Sequence, residues 1–179
     1  MKREQLVQLG REWLKRLCVD IPTRPVGRDG NRKATELFAA RMRDCAFDVS
    51  CPEFQCMDWT SEGAWLTTPT GRTAVRASPY SLGCDVRGHL TVAATITELE
   101  ASELAGRVVM LRGELTRSQL TPKNYPWYNL DEHVHLISLL EQKAPLAIVA
   151  ATSRDPEMVG AQYPFPLFED GDFNIPSVY

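Results

Sequence analysis

The sequence predicts an α+β protein: an N-terminal helix–turn–helix–strand segment, then a β-rich domain with at least one packed helix. Three observations predict it. Apolar residues recur at helical spacing through the first 45 positions. From Asp58 onward the pattern changes to short β-prone runs separated by Gly, Pro and polar turns. One long helical stretch between Asn129 and Pro145 interrupts those runs and leads straight into an apolar strand.

Leu6, Leu9, Trp13, Leu14 and Leu17 share one face of a helix expected over residues 3–17. Pro22 and Pro25 disfavour helix in the residues before them and end it. Asp29, Gly30 and Asn31 offer cap chemistry for a second helix, which would present Ala34, Leu37, Phe38, Met42 and Cys45 on one side. Phe47, Val49 and Cys51 then alternate with Asp48 and Ser50, the spacing of a strand. Further strands are expected at 64–68, 73–77, 90–96, 107–111 and 147–151. The helix at 130–143 has Asn129 as its expected cap and Glu132 three residues on, with Asp131 and Glu132 suited to the positive end of the helix dipole. The domain boundaries expected are therefore 1–58 and 59–179.

Composition excludes several classes. A net charge of −3 leaves no basic stripe for nucleic acid, and no apolar run is long enough to span a bilayer. The N-terminus is charged and periodic, without the apolar core of a signal peptide. Cys18, Cys45, Cys51, Cys56 and Cys84 are odd in number and contain no C-x-x-C, which predicts free, mostly buried thiols in a reducing cytoplasm.

Arg24-Pro-Val-Gly27, followed by Gly30-Asn31 and Ala34, resembles the "R-x-V-G-x-x-G-N-x-x-A" segment of the co-catalytic zinc aminopeptidase family. Many members of that family insert a protease-associated domain after a first helix, this turn, a second helix and a strand. The remainder of the chain resembles such an insert. "ELEASELAGRVVMLRGEL" is similar to its "L-x-G-K-I-x-L-x-x-G" segment, and "KAPLAIVAAT" to its "G-A-x-A-I-I" strand, with Ala144-Pro145 where Gly-Ala is usual. "FNIPSVY" is similar to its "I-P-x-V" strand. The resemblance implies a parent enzyme that removes N-terminal residues from peptides with two zinc ions. Their ligands are a His-x-Asp, a bridging Asp, a Glu-Glu pair, a further acid and a last His. This sequence has no His-x-Asp and no Glu-Glu. The expectation is a first, non-metal-binding part of such a peptidase, ending in or just after its insert. It would hold no cofactor itself, while zinc belongs to the parent. The rival expectation is a naturally short protein that keeps the protease-associated scaffold to bind a peptide or a protein partner.

Individual residues carry narrower expectations. Arg24 and Arg28 in the Gly-rich turn either contact a carboxylate or phosphate or fix the turn itself. Lys123, Tyr125, Trp127 and Tyr128 form either a recognition surface or a lid over the core. His133 and His135 could chelate from a strand but diverge on a helix, the expected state. The stretch Glu169-Asp170-Gly171-Asp172 reads as a solvated turn rather than a calcium loop, and Ser78 to Gly83 as a turn rather than a nucleophile site. The apolar faces of the first two helices predict a homo-oligomer, unless they fold back on the second domain.

Overall fold

The first helical pattern forms α1, Arg3–Lys15, and continues as a π-helical turn, Arg16–Asp20, closed by the Ile21 N–H on the Arg16 carbonyl at 2.9 Å. The wider turn comes just before Pro22, whose ring pushes Ile21 out of the helical region. The second helix, α2, is Asp29–Asp44. Its N-cap is Arg28, in extended conformation and with no side-chain cap bond, so Asp29 falls inside the first turn instead of capping it. There its charge still complements the helix dipole, as do Arg41 and Arg43 in the last turn. On the expected face, Ala34, Leu37 and Met42 are half-buried while Phe38 and Cys45 are exposed; Ala39 is the residue that is fully covered. No residue of α1 is buried.

The strand expected from Phe47 to Cys51 does not form. The end of α2 explains why. The Phe47 N–H reaches back to the Met42 carbonyl (3.1 Å) and the Ala46 N–H to the Arg43 carbonyl (2.8 Å), with Ala46 left-handed at φ 63°. This is a Schellman closure, which commits Phe47 to the helix end. With no ladder partner among the described residues, the segment beyond has no edge on which to pair.

The computed structural model describes residues 3–56, 58–118, 120–121, 123, 125, 127–152 and 174–179. The chain divides into two units, Met1–Asp58 and Trp59–Tyr179, at the residue where the sequence changes its texture.

In the second unit, β1 (Ala64–Thr68) and β2 (Gly71–Val75) form an antiparallel hairpin, with the Arg72 guanidinium 4.4 Å over the Trp65 ring. Four further strands, β3 (Leu90–Ala93), β4 (Val108–Leu111), β5 (Ala147–Ala150) and β6 (Ser177–Val178), make a parallel sheet in sequential order. The register aligns Ala93, Leu111 and Ala150 across three strands, and Val109 with Ile148. These residues share one face, fully buried beneath α3 (Ile96–Ala101) and α4 (Asp131–Lys143). Leu136, Ile137 and Leu140 of α4 and Leu99 of α3 complete that core. At roughly 25 cal/mol per Å² of apolar surface, each of these side chains contributes about 1.5–3 kcal/mol.

The run expected as a strand over 90–96 stops at Ala93 because a short helix begins. Thr95 Oγ1 accepts the Glu98 N–H at 3.2 Å, and Glu98 Oε2 accepts the Ala94 N–H at 2.7 Å. That pair is a variant of the capping box, in which the Glu98 carboxylate takes the N–H one residue before the cap. The longer helix α4 behaves differently from expectation at its start. Its N-cap is Leu130 with no side-chain bond, and the Asn129 amide instead donates to the Lys123 carbonyl at 3.4 Å. At its end Ala144 is left-handed, φ 45°, and its N–H closes on Leu140.

The two edges of the sheet are treated differently. β6 is flanked by residues 76–78, with reciprocal 2.8 Å bonds between Arg76 and Tyr179 and the Ser78 N–H on the Ser177 carbonyl. β3 has no ladder partner on its outer side among the described residues.

The left-handed Ala144 yields a prediction. A Cβ in this conformation costs roughly 1–2 kcal/mol, and glycine avoids it at a smaller entropic cost. Ala144→Gly is expected to stabilise the chain by about 0.5–1 kcal/mol, read as a raised urea midpoint. An unchanged or lower midpoint would show that the strain is relieved otherwise.

Candidate functional site

The Gly-rich turn of the first unit is built by its own sequence. The Arg28 N–H closes on the Pro25 carbonyl at 3.1 Å, and Gly27 sits third in that turn at φ 81°. This is a type II turn, which asks for glycine there. A Cβ on Gly27 would also stand 2.7 Å from Cys56 Sγ. Gly30 is required for another reason: a Cβ there would lie 1.9 Å from the Thr23 carbonyl oxygen, because the chain crosses itself at that point. The arginines are engaged. Arg24 donates to the Leu17 and Ile21 carbonyls, the latter at 2.8 Å, and so closes the end of the preceding helix. Arg28 Nε meets Asp58 Oδ1 at 2.7 Å. Arg32 donates to the Gly27 carbonyl at 3.4 Å. Arg24 and Arg28 thus serve the carbonyls at the end of the preceding helix and a carboxylate of the same chain.

The aromatic stretch of the second unit is open. Trp127 is 80% exposed and Tyr128 74%, and the Tyr125 and Trp127 rings meet edge to face with centroids 5.2 Å apart. Lys123 Nζ is 2.8 Å from Glu141 Oε1 on α4, which ties the start of the stretch to the helix. An ion pair this accessible contributes at most about 1 kcal/mol. Of the two roles expected for these residues, the exposure of Trp127 and Tyr128 leaves their ring faces available to a partner.

His133 and His135 both lie on α4 and diverge. His133 is buried, and its Nδ1 accepts the Thr121 N–H at 2.9 Å, so the proton of the neutral ring sits on Nε2. His135 is exposed, with Nε2 2.9 Å from Glu100 Oε1. Among the described residues no group of three or more His, Cys, Asp or Glu is placed to hold a metal ion. The acidic stretch 169–172 lies outside the described residues.

Ser78 to Ser81 form a turn closed by the Ser81 N–H on the Ser78 carbonyl at 3.0 Å, with Pro79 second and Tyr80 third at φ 58°. Tyr80 stands where glycine is usual. Its ring packs on the core and, tilted, on Trp59 at 6.0 Å. Ser81 Oγ accepts the Ser177 N–H (2.9 Å), and the Ser81 carbonyl accepts Trp59 Nε1–H (2.9 Å). The turn therefore fastens β6, and no base among the described residues bonds either serine hydroxyl.

All five cysteines are exposed, contrary to the burial expected of free thiols. Their positions explain it. Cys18 sits in the π-helical turn, Cys45 caps the end of α2, and Cys51, Cys56 and Cys84 lie in irregular stretches outside the parallel-sheet core. Cys84 has its thiol pushed up from the ordinary value, first by partial desolvation and then by the neighbouring Asp85 carboxylate. No helix among the described residues is long and apolar enough to cross a membrane. Comparison with known proteins finds no matching family, no similar curated protein and no similar solved structure.

Two predictions follow from this geometry. Gly30→Ala forces the Thr23 carbonyl aside and is expected to cost about 3 kcal/mol or more, seen as lost helical signal at lower urea. Wild-type stability in that variant would show that the crossing is not tight. For Cys84, alkylation follows the thiolate, so its rate should rise with pH around a midpoint above that of a free cysteine. Asp85→Asn removes one cause and should lower the midpoint; a midpoint that does not move would leave desolvation as the whole explanation.

Proposed function

We propose that this chain is the N-terminal, non-metal-binding part of a co-catalytic zinc aminopeptidase, with Trp59–Tyr179 as its protease-associated unit. One observation carries the reading. The three sequence fragments that resemble the protease-associated insert are far apart in the chain, yet they fall on adjacent strands of one sheet. "GRVVMLRGEL" contains β4, "KAPLAIVAAT" contains the end of α4 and β5, and "FNIPSVY" contains β6. Ala144, standing where the family has glycine, is left-handed, the conformation that glycine favours. The turn gives further support, since Gly27 and Gly30 are both demanded by the backbone.

In the parent enzyme two zinc ions would polarise a water for attack on the peptide carbonyl, with a glutamate outside this chain as general base. The residues here would shape access to that centre or bind protein through the exposed Lys123, Tyr125, Trp127 and Tyr128. Five free thiols suit a reducing compartment such as the cytoplasm. Exposed Leu6 and Phe38 suit pairing with a second copy.

A second reading, a short binding protein without catalysis, is favoured by the openness of Trp127 and Tyr128. Reading the gene past the codon for Tyr179 separates the two. The peptidase reading expects a continuing frame with a His-x-Asp and a Glu-Glu; a native stop codon overturns it. The chain alone is expected to retain no zinc after dialysis and washing, and to leave aminoacyl anilides uncleaved. Stoichiometric zinc with chelator-sensitive turnover would instead place a complete centre within these residues.

A further inference from the structure

We propose that the outer edge of β3 is a docking site for an extended peptide with an acidic C-terminal end, which adds to the sheet antiparallel to β3. The inference rests on the ladder and the charges around it, and stands apart from the peptidase reading.

The backbone pattern shows what the edge offers. β4 takes up the carbonyls of His89 and Ala93, which receive the Val108 and Arg112 N–H groups at 3.0 Å each. Backbone groups alternate along a strand, so Leu90 and Val92 turn their N–H and C=O outward. Nothing in the sequence of β3 protects this edge. It reads Leu-Thr-Val-Ala, without the charge, proline or bulge that usually discourages strand addition. The protein does close its other edge, laying residues 76–78 along β6. β3 is left open.

The face above the edge is apolar and, among the described residues, exposed. Leu90 and Val92 are 49% and 45% exposed, and they continue a row with half-buried Val108 and Met110 of β4. Both long connections whose helices are described, β3 to β4 and β4 to β5, pack on the opposite face. An added strand with apolar residues at alternate positions would extend this row.

Charge selects the occupant. Arg87 and His89 precede β3, and Arg107 precedes its neighbour β4, where Leu90 pairs with Val108. All three are exposed, and neither arginine forms an ion pair with a described residue. Asp85 is the acid of the stretch 84–92. An antiparallel ligand brings its C-terminal end to this basic corner, where carboxylates meet the guanidinium groups. A second copy of β3 would bring no acidic residue of its own strand to that corner.

The test uses the full chain and the synthetic peptide acetyl-Thr-Val-Thr-Val-Glu-Glu with a free carboxylate. Its control replaces the two Glu by Lys and amidates the end. The acidic peptide is expected to bind at least about tenfold more tightly than the control. It should also slow hydrogen exchange at the Leu90 and Val92 amides, leaving Val109 and Ile148 unchanged. Arg87→Glu should weaken the acidic peptide about tenfold while preserving the fold. Val92→Pro removes an outward N–H that the ladder does not use, and should abolish binding. Equal binding of both peptides overturns the charge argument. Binding without protection at Leu90 and Val92 overturns the site. Protection that grows with protein concentration in the absence of peptide, together with a doubled mass, assigns the edge to a second copy and overturns the peptide.

Discussion

A parallel strand has to be carried back to the starting end of the sheet before the next can begin, and the second unit is arranged around that requirement. β3 returns through α3, and β4 through α4. Because both helices lie on one face, the strand residues they bury there are small or aliphatic, Ala93, Val109, Leu111, Ile148 and Ala150, with half-buried Thr91 at the edge strand. The buried histidine serves the same end. His133 stands on α4 one turn before Leu136 and Ile137, and accepting the Thr121 N–H pins the incoming loop where the helix begins. An apolar residue there would leave that N–H without its acceptor, at a cost of about 1–3 kcal/mol.

Much of this was legible in the sequence because period and length agree. The apolar positions of α4, at 136, 137 and 140, repeat with helical spacing. β5 is an unbroken apolar run buried on both faces. Elements fixed by backbone bonds rather than side-chain period were harder to read. The strand expected at Phe47 carries the right alternation, but its first residue is captured by the closure of α2. The cap expected from Asn129 fails by one residue, whereas Thr95 with Glu98 caps a shorter helix inside a stretch that reads as strand.

At the candidate site the residue types are legible from spacing, but what they engage is not. Arg24, Arg28, Gly27 and Gly30 do cluster, but the reason is a chain crossing and a helix end needing donors. No spacing rule reports that Thr23 passes under Gly30. The aromatic stretch differs. Tyr125, Trp127 and Tyr128 were visible as unusual residues for a loop, and their exposure keeps a recognition role open to them.

Backbone strain separates structural demands from chemical ones in this chain. Ala46, Tyr80 and Ala144 are non-glycine residues with positive φ. Such residues often mark functional sites. Here each stands at a chain reversal with a visible cause: Ala46 and Ala144 end helices, and Tyr80 closes the turn that holds β6. The cost at Tyr80 is offset by what its ring touches, since the left-handed turn brings the phenol against the core and beside Trp59. These positions therefore fix the frame. The open groups lie elsewhere: the exposed rings of Trp127 and Tyr128, and the outward backbone of Leu90 and Val92. With the strained non-glycine residues among the described ones all placed at reversals, the proposed recognition rests on the exposed Trp127 and Tyr128 rings and on the edge at Leu90 and Val92.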